Sequence, residues 1–251
     1  VAFTEFHYQV RGRGHTAEGI HVQDRTAYKH HRGVQALCLA DGAGSATHPE
    51  YGAQTVVDIG CSLLIDHFDE YATGDDAAGA REGIIEALLS ELEDTARRVG
   101  CNVADLASTF LAVAASTDRF VAAHVGDGVI GYVKNDEMKV VSAPDNAEFA
   151  NETTFVTSTG AAASLRLFRG SLEGVSGFIL MSDGASASLF DQQTRRLAPA
   201  CAKLIAIAAA APARKSKNPE YRKRLKRVID TQVRPATKDD CSIAILGRQL
   251  P

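Results

Sequence analysis

Aspartates placed at the ends of short apolar runs recur through this chain. Val34 to Ala40 is apolar apart from Gln35 and leads into Asp41-Gly42-Ala43-Gly44. Phe178 to Met181 leads into Ser182-Asp183-Gly184, and Ala122-Ala123-His124-Val125 leads into Gly126-Asp127-Gly128. Towards the two ends of the chain the order reverses. Gln23-Asp24 precedes Thr26-Ala27-Tyr28, and Lys238-Asp239-Asp240-Cys241 precedes Ile243-Ala244-Ile245-Leu246. Apolar runs of this length read as buried strands. A carboxylate at a strand end is held rigidly, and glycine beside it lets another group approach the backbone. A lone Asp-Gly pair is an ordinary turn. Carboxylates repeated at strand edges can converge, and then they repel unless cations neutralise them. Oxygen ligands without a Cys or His cluster suit Mg²⁺ or Mn²⁺ better than Zn²⁺. The residues alone therefore point to a multinuclear Mg/Mn site.

The elements that must position these groups follow from periodicity and turn chemistry. Thr4 to Arg11 reads as a strand and Gly12 to Gly19 as a loop carrying His15. A strand runs from Asp24 through Tyr28 into a turn at Lys29 to Gly33, with His30 and His31 as its solvated tip. From Pro49 to about Tyr71 a helical period places Val56, Val57, Leu63, Leu64 and Phe68 on one face, and Ile84, Ile85, Leu88, Leu89 and Leu92 form the stripe of a second helix. Strands are expected at Thr109 to Ser116, Phe120 to Val125, Val129 to Lys134 and Met138 to Ser142. Their short links imply antiparallel pairing. Thr153 to Thr157 is strand-like and Arg166 to Val175 suggests a hairpin before the Phe178 strand. A helix is expected from Thr194 to Ala211, ended by Pro212, then a polar break at Lys215 to Pro219. Glu220 to Val233 reads as a further helix and Ser242 to Gly247 as the last strand. The expected fold is α+β: a four-layer α-β-β-α sandwich of two packed, mainly antiparallel sheets with a helix pair on each outer face, formed by residues 1–251 as one domain. The aspartates would collect at one edge of it.

Bulk properties exclude several classes. A formal net charge of −4 over 251 residues gives no overall attraction to nucleic acid. No secretory signal is read at Val1-Ala2-Phe3, and no apolar run is long enough to cross a bilayer. The five cysteines contain no CxxC pair and read as reduced residues of a cytoplasmic protein. Arg214 to Lys238 carries ten Lys/Arg against Glu220 and Asp230. That excess reads as a solvated face, with docking of an acidic or phosphorylated partner as its functional alternative.

Taken in order, Gln23-Asp24, Ala40-Asp41-Gly42-Ala43-Gly44, Val125-Gly126-Asp127-Gly128, Met181-Ser182-Asp183-Gly184 and Asp239-Asp240-Cys241-Ser242 resemble the motifs of the PP2C (PPM) Ser/Thr protein phosphatases. Gly14-His15 with Gly19, Asp41 to Ser45, and Phe149-Ala150-Asn151-Glu152-Thr153-Thr154-Phe155 resemble the compact bacterial PP2C-like, PphC-type branch. The resemblance implies a phosphatase for phosphorylated Ser/Thr proteins, among them a cognate bacterial kinase, acting as a monomer. It implies two tightly held Mn²⁺ or Mg²⁺ ions and a third, weaker one. Asp41 would bridge the first two, with the Gly42 carbonyl on the first and Asp183 and Asp239 on the second. Asp24 would hold metal-bound waters, and Asp127 would serve the third ion with Asp183. A water bridging the two ions would attack phosphorus directly. Ala143 to Ala163 resembles the family's variable flap.

The chain departs from the family pattern at three points. Gly19 stands where many members carry a phosphate-gripping Arg, so that contact would fall to His15, Arg13 or Arg25. Ala43 stands where eukaryotic members have a His proposed as general acid; His15, His48 or a water would donate the proton instead. Asp240 falls where Asn is common. Two alternatives stay open: a pseudophosphatase that binds phosphoproteins without turnover, and a hydrolase of small phosphoesters.

Overall fold

The computed structural model of the chain describes residues 2–144, 153–211 and 220–250. In chain order, β1 (Thr4–Val10) is followed by α1 (Arg13–Glu18), the hairpin β2 (Arg25–His31) and β3 (Val34–Ala40), and the helices α2 (Pro49–Asp66), α3 (Phe68–Thr73) and α4 (Ala77–Val99). Next come β4 (Phe110–Ala115), β5 (Arg119–Val125), β6 (Val129–Lys134) and β7 (Glu137–Ser142), then α5 (Ala161–Ser164), β8 (Arg166–Ser171) and β9 (Val175–Met181). The chain finishes with α6 (Asp183–Leu189), β10 (Phe190–Asp191), β11 (Arg196–Leu197), α7 (Pro199–Ala209), α8 (Glu220–Val228) and β12 (Cys241–Gly247). The strands form two five-stranded antiparallel sheets, ordered β1-β12-β9-β6-β7 and β2-β3-β4-β5-β8, beside the small β10-β11 ribbon. No helix among the described residues is long and apolar enough to cross a membrane.

The sandwich follows from strands that are apolar on both faces. Along β3, Leu37 and Leu39 point into the layer between the sheets, while Ala36, Cys38 and Ala40 pack beneath α2 and α4. β4 repeats this: Leu111 and Val113 face the other sheet, and Phe110, Ala112 and Ala114 face the helices. On the second sheet Phe178, Leu180, Ala244 and Leu246 face inward, while Ile179, Met181, Ile243 and Ile245 meet α7 and α8. Phe178 anchors the inner layer, 5.0 Å from the Phe120 ring and stacked on Tyr132 at 6.1 Å. The α4 stripe is buried as its period requires, with Leu89 only partly covered. The helix pairs on the two outer faces are thus α2 with α4 and α7 with α8, as expected. The five cysteines are free.

Several local expectations fail for identifiable reasons. Gly12 to Gly19 is mostly the short helix α1, closed by Gly19 in the left-handed region at φ 74°. The long first helix is two, divided at His67. The short links Gly126–Gly128 and Leu172–Gly174 do not make hairpins. Each carries the chain from one sheet to the other; at the second, Leu172 and Val175 both bury in the layer between the sheets. Thr153 to Thr157 is not a strand: the Val156 side chain is buried under the helices, and its amide donates to Ser108 O at 2.9 Å. Residues 190–197 fold back as the β10-β11 ribbon, so the expected helix at Thr194 begins only at Pro199. The last helix loosens into a wider turn over Ile229–Val233. His30 and His31 are exposed where β2 ends at the Arg32-Gly33 turn. The break at Lys215 to Pro219, Pro212, and Phe149 to Glu152 lie outside the described residues.

Candidate active site

The aspartates meet at one edge of the sandwich, delivered by both sheets. Asp41 leaves β3 and is clamped to the start of β4 in both directions. Its amide donates to Thr109 Oγ1 at 2.9 Å, and the Thr109 amide donates to Asp41 O at 2.8 Å. Gly42 pairs with Ser108 as a bridge and sits so close to the Gln23 loop that a Cβ there would come within 2.9 Å of Gln23 O and 2.8 Å of Pro49 Cβ. Asp127 occupies the link that crosses between sheets, and its Oδ2 accepts the Thr153 hydroxyl at 2.6 Å. Asp183 follows β9 and opens α6, where its Oδ1 accepts the Gly184 amide. Asp239 precedes β12, and its Oδ1 accepts the Asp240 amide at 2.8 Å.

His15, Asp41, Gly42, Asp127, Asp183 and Asp239 line a single cavity of about 200 Å³, together with Gln23, Ala43, Gly44, Thr109, Thr153 and Phe155. No Lys or Arg is among these lining residues. Asp24 lies behind them, 1% exposed, with neither carboxylate oxygen hydrogen-bonded. Burial raises its carboxyl to about 7, and the charges of Asp240 and Asp183 add to the shift, partly offset by the Ser242 hydroxyl and Asp41. Burial, then the charges of Asp24 and Asp183, push Asp41 well above the ordinary carboxylate range. Asp183 is raised by burial, with Asp127 and Asp239 adding to the shift and its nearness to Asp41 and the bond from the Gly184 amide opposing it.

This is a well of negative potential, and its donor set is carboxylate and carbonyl oxygen, the chemistry of hard divalent cations. Among the described residues no three His, Cys, Asp or Glu side chains are drawn together as a ready cage for one ion. The carboxylates instead stand around a cavity with room for water, and Asp24 leaves two buried oxygens without partners. A Mg²⁺ or Mn²⁺ ion that keeps several of its waters fits such a set.

The other residues named from sequence lie elsewhere. Arg13 is exposed and donates to Thr237 O at 3.3 Å. Arg25 is held by the carbonyls of Val22 and Asp24 at 2.7 and 2.8 Å. Neither lines the cavity, and nor does His48, which stands at the start of α2. Sequence reasoning gave no role to Thr109 or Thr153, and it left Asp240 without one. Asp240 is 1% exposed, and its two oxygens accept the Gly12 and Gln23 amides, each at 2.7 Å. The signal for it was the second acid in Asp239-Asp240, set directly before a buried strand.

Known proteins share this fold. No curated protein matches the chain significantly. Solved structures similar to it include a bacterial serine phosphatase (15% identity, TM-score 0.68, 99% of each chain covered). The serine/threonine phosphatase Stp1 from Staphylococcus aureus is similar at 15% identity and TM-score 0.66, covering 100% of this chain and 96% of that one. So is the catalytic domain of the serine/threonine phosphatase PstP, in complex with two manganese ions, at 16% identity and TM-score 0.63 with 98% of each chain covered. The family model for Protein phosphatase 2C matches residues 11–229. With carboxylates from both sheets of an α-β-β-α sandwich gathered at one edge, the chain belongs to the protein phosphatase 2C family of metal-dependent serine/threonine phosphatases.

Proposed function

We propose that residues 1–251 act as one cytoplasmic, monomeric phosphatase domain that uses two Mn²⁺ or Mg²⁺ ions, and a weaker third, to hydrolyse phosphoserine and phosphothreonine in proteins. A cognate kinase is the partner we favour. The observation that carries this reading is the cavity itself: Asp41, Asp127, Asp183 and Asp239 line it without any Lys or Arg among them. Such a wall repels a phosphate dianion until divalent cations invert its sign.

In this reading Asp41, the Gly42 carbonyl, Asp183 and Asp239 hold the two tight ions. Asp24 orders their waters, and Asp127 serves the third ion with Asp183. When bound, the cations supply an activated water and neutralise the phosphoryl oxygens. The chain's own contribution is to hold the donors rigid. The two-way clamp between Asp41 and Thr109 fixes the central carboxylate, and Asp240 pins the Gly12 and Gln23 loops behind it. His15 and Gln23 are the cavity-lining side chains with nitrogen to offer, and His15 is the one we assign to meet the phosphoryl group or the departing oxygen, in the place of an arginine.

The test is hydrolysis of p-nitrophenyl phosphate and of phosphoserine and phosphothreonine peptides, with Mn²⁺, with Mg²⁺ and with EDTA. Metal-dependent turnover of the peptides is expected. Phosphopeptide binding without turnover would instead support a pseudophosphatase, and turnover of free phosphometabolites alone would support a small-molecule hydrolase.

A further inference from the structure

The acidic cavity is edged by basic residues where α1 meets the entry to β12. His15 and Asp239 line the cavity, and the chain reaches them through Arg13-Gly14 and through Lys238. These two approaches are bound together. The Gly14 amide donates to Lys238 O at 2.8 Å, Arg13 Nε donates to Thr237 O at 3.3 Å, and a Cβ on Gly14 would stand 3.3 Å from Lys238 Cβ. Arg234 braces the same place, its Nε donating to Arg11 O at 2.9 Å and its Nη2 to Thr16 Oγ1 at 3.4 Å. Among the described residues, neither Arg11, Arg13, Arg234 nor Lys238 forms an ion pair with Asp or Glu. On α8, by contrast, Arg222 pairs with Glu5, Lys223 pairs with Glu220, and Lys226 lies over the Tyr8 ring. Arg13 and Lys238 are both exposed. They stand two residues and one residue along the chain from His15 and Asp239, a Cα path of at most about 8 Å.

Resting on the phosphatase reading above, we infer that Arg13 and Lys238 form a docking rim for substrate segments that carry Asp or Glu within a few residues of the phosphorylated side chain. A phosphate seated in the cavity brings its chain neighbours over this rim. Acidic neighbours would otherwise meet the field of Asp127, Asp183 and Asp239. A guanidinium and an ammonium just outside those carboxylates offer the opposite charge. Arg11 and Arg234 are half-buried, so they strengthen the local potential and leave direct contact to the exposed pair. Exposed ion pairs are individually weak and screened by salt. The rim therefore sets preference among phosphoproteins, through KM, and leaves the chemical step alone.

The test compares two phosphoserine peptides, one with Glu and one with Gln around the phosphoserine, in Mn²⁺. The wild type is expected to favour the Glu peptide about fivefold in kcat/KM at about 50 mM salt, and to lose most of that preference at about 300 mM. Arg13→Gln with Lys238→Gln should abolish the preference and leave kcat/KM on p-nitrophenyl phosphate unchanged, which also reports correct folding. Arg32→Gln with Lys203→Gln removes the same charge from exposed positions elsewhere and should keep the preference. A wild type without preference, a preference that survives in the rim variant, or one lost equally in the control overturns the inference. So does an equal loss on p-nitrophenyl phosphate, which would place the pair at the phosphoryl group. A wild type that hydrolyses neither peptide defeats the phosphatase reading. Fluorescence anisotropy of the same peptides with Mn²⁺ then still decides the rim: tighter binding of the Glu peptide, lost in the rim variant, upholds it, and equal binding overturns it.

Discussion

The Thr153 hydroxyl donates to Asp127 Oδ2 at 2.6 Å, so one lone pair of that carboxylate is already taken by the chain itself. Asp127 sits on the link between the two sheets. A cation served by Asp127 has to share or displace this hydroxyl. Thr153→Val is expected to tighten the weakest metal-dependent step of activation about tenfold or more, since a hydrogen bond to a charged group is worth roughly 1.5–3 kcal/mol. Activity against Mn²⁺ concentration reads it out, and an unchanged activation curve would show that the bond does not compete.

Asp41→Asn keeps the shape of the residue and removes the charge shared by both proposed tight sites. Turnover should fall roughly a thousandfold or more. Asp127→Ala should lower turnover less and leave two Mn²⁺ ions bound per chain. Calorimetric titration with Mn²⁺ would contradict this assignment if the tight sites vanished in Asp127→Ala as well.

Burial raises the carboxyl of Asp24 from about 3.8 to about 7, and Asp41 is raised in the same direction. A group whose folded-state pKa is raised favours the folded state fully below its ordinary value and loses that contribution as pH climbs through the folded value. Between about pH 4 and pH 7 the metal-free protein should therefore lose stability, by an amount of order 4 kcal/mol for a three-unit shift. Melting temperatures in EDTA should decline across that range, and Mn²⁺ should restore most of the loss at pH 7.5. A flat profile in EDTA would be inconsistent with the carboxylates crowding one another.

Phe178 lies between the sheets, in contact with Phe3, Phe120 and Tyr132, and far from the charged edge in function. Phe178→Ala should cost about 3–5 kcal/mol of stability while folded enzyme keeps its KM. Chemical denaturation and kinetics at low temperature separate the two effects.

Much of this was legible because it is local. An apolar run followed by Asp-Gly names both a strand and its functional end: the strand carrying Asp41 lies where expected, and the one leading to Asp183 ends where expected but starts three residues earlier. The helix stripe at Ile84, Ile85, Leu88 and Leu92 needs only its 3.6-residue period. What could not be read is set by partners distant along the chain. The three-residue link at Gly126 looks like a hairpin turn, yet the choice between hairpin and crossing depends on which sheet covers the flanking residues. Arg13 has the right charge and neighbourhood, but its guanidinium donates to the Thr237 carbonyl, more than 200 residues away. Asp240 took on a role because Gly12 and Gln23 bring it their amides from more than 200 residues away.

Asp24 and Asp41 hang from one sheet, Asp183 and Asp239 from the other, and Asp127 sits on the link between them. Ions gripped across that divide would act as rivets through the rim of the sandwich, where like charges otherwise prise the two halves apart. Chelation would then loosen the joint between the sheets before it unravelled either one, and the amides bordering the rim would be the first to exchange with solvent.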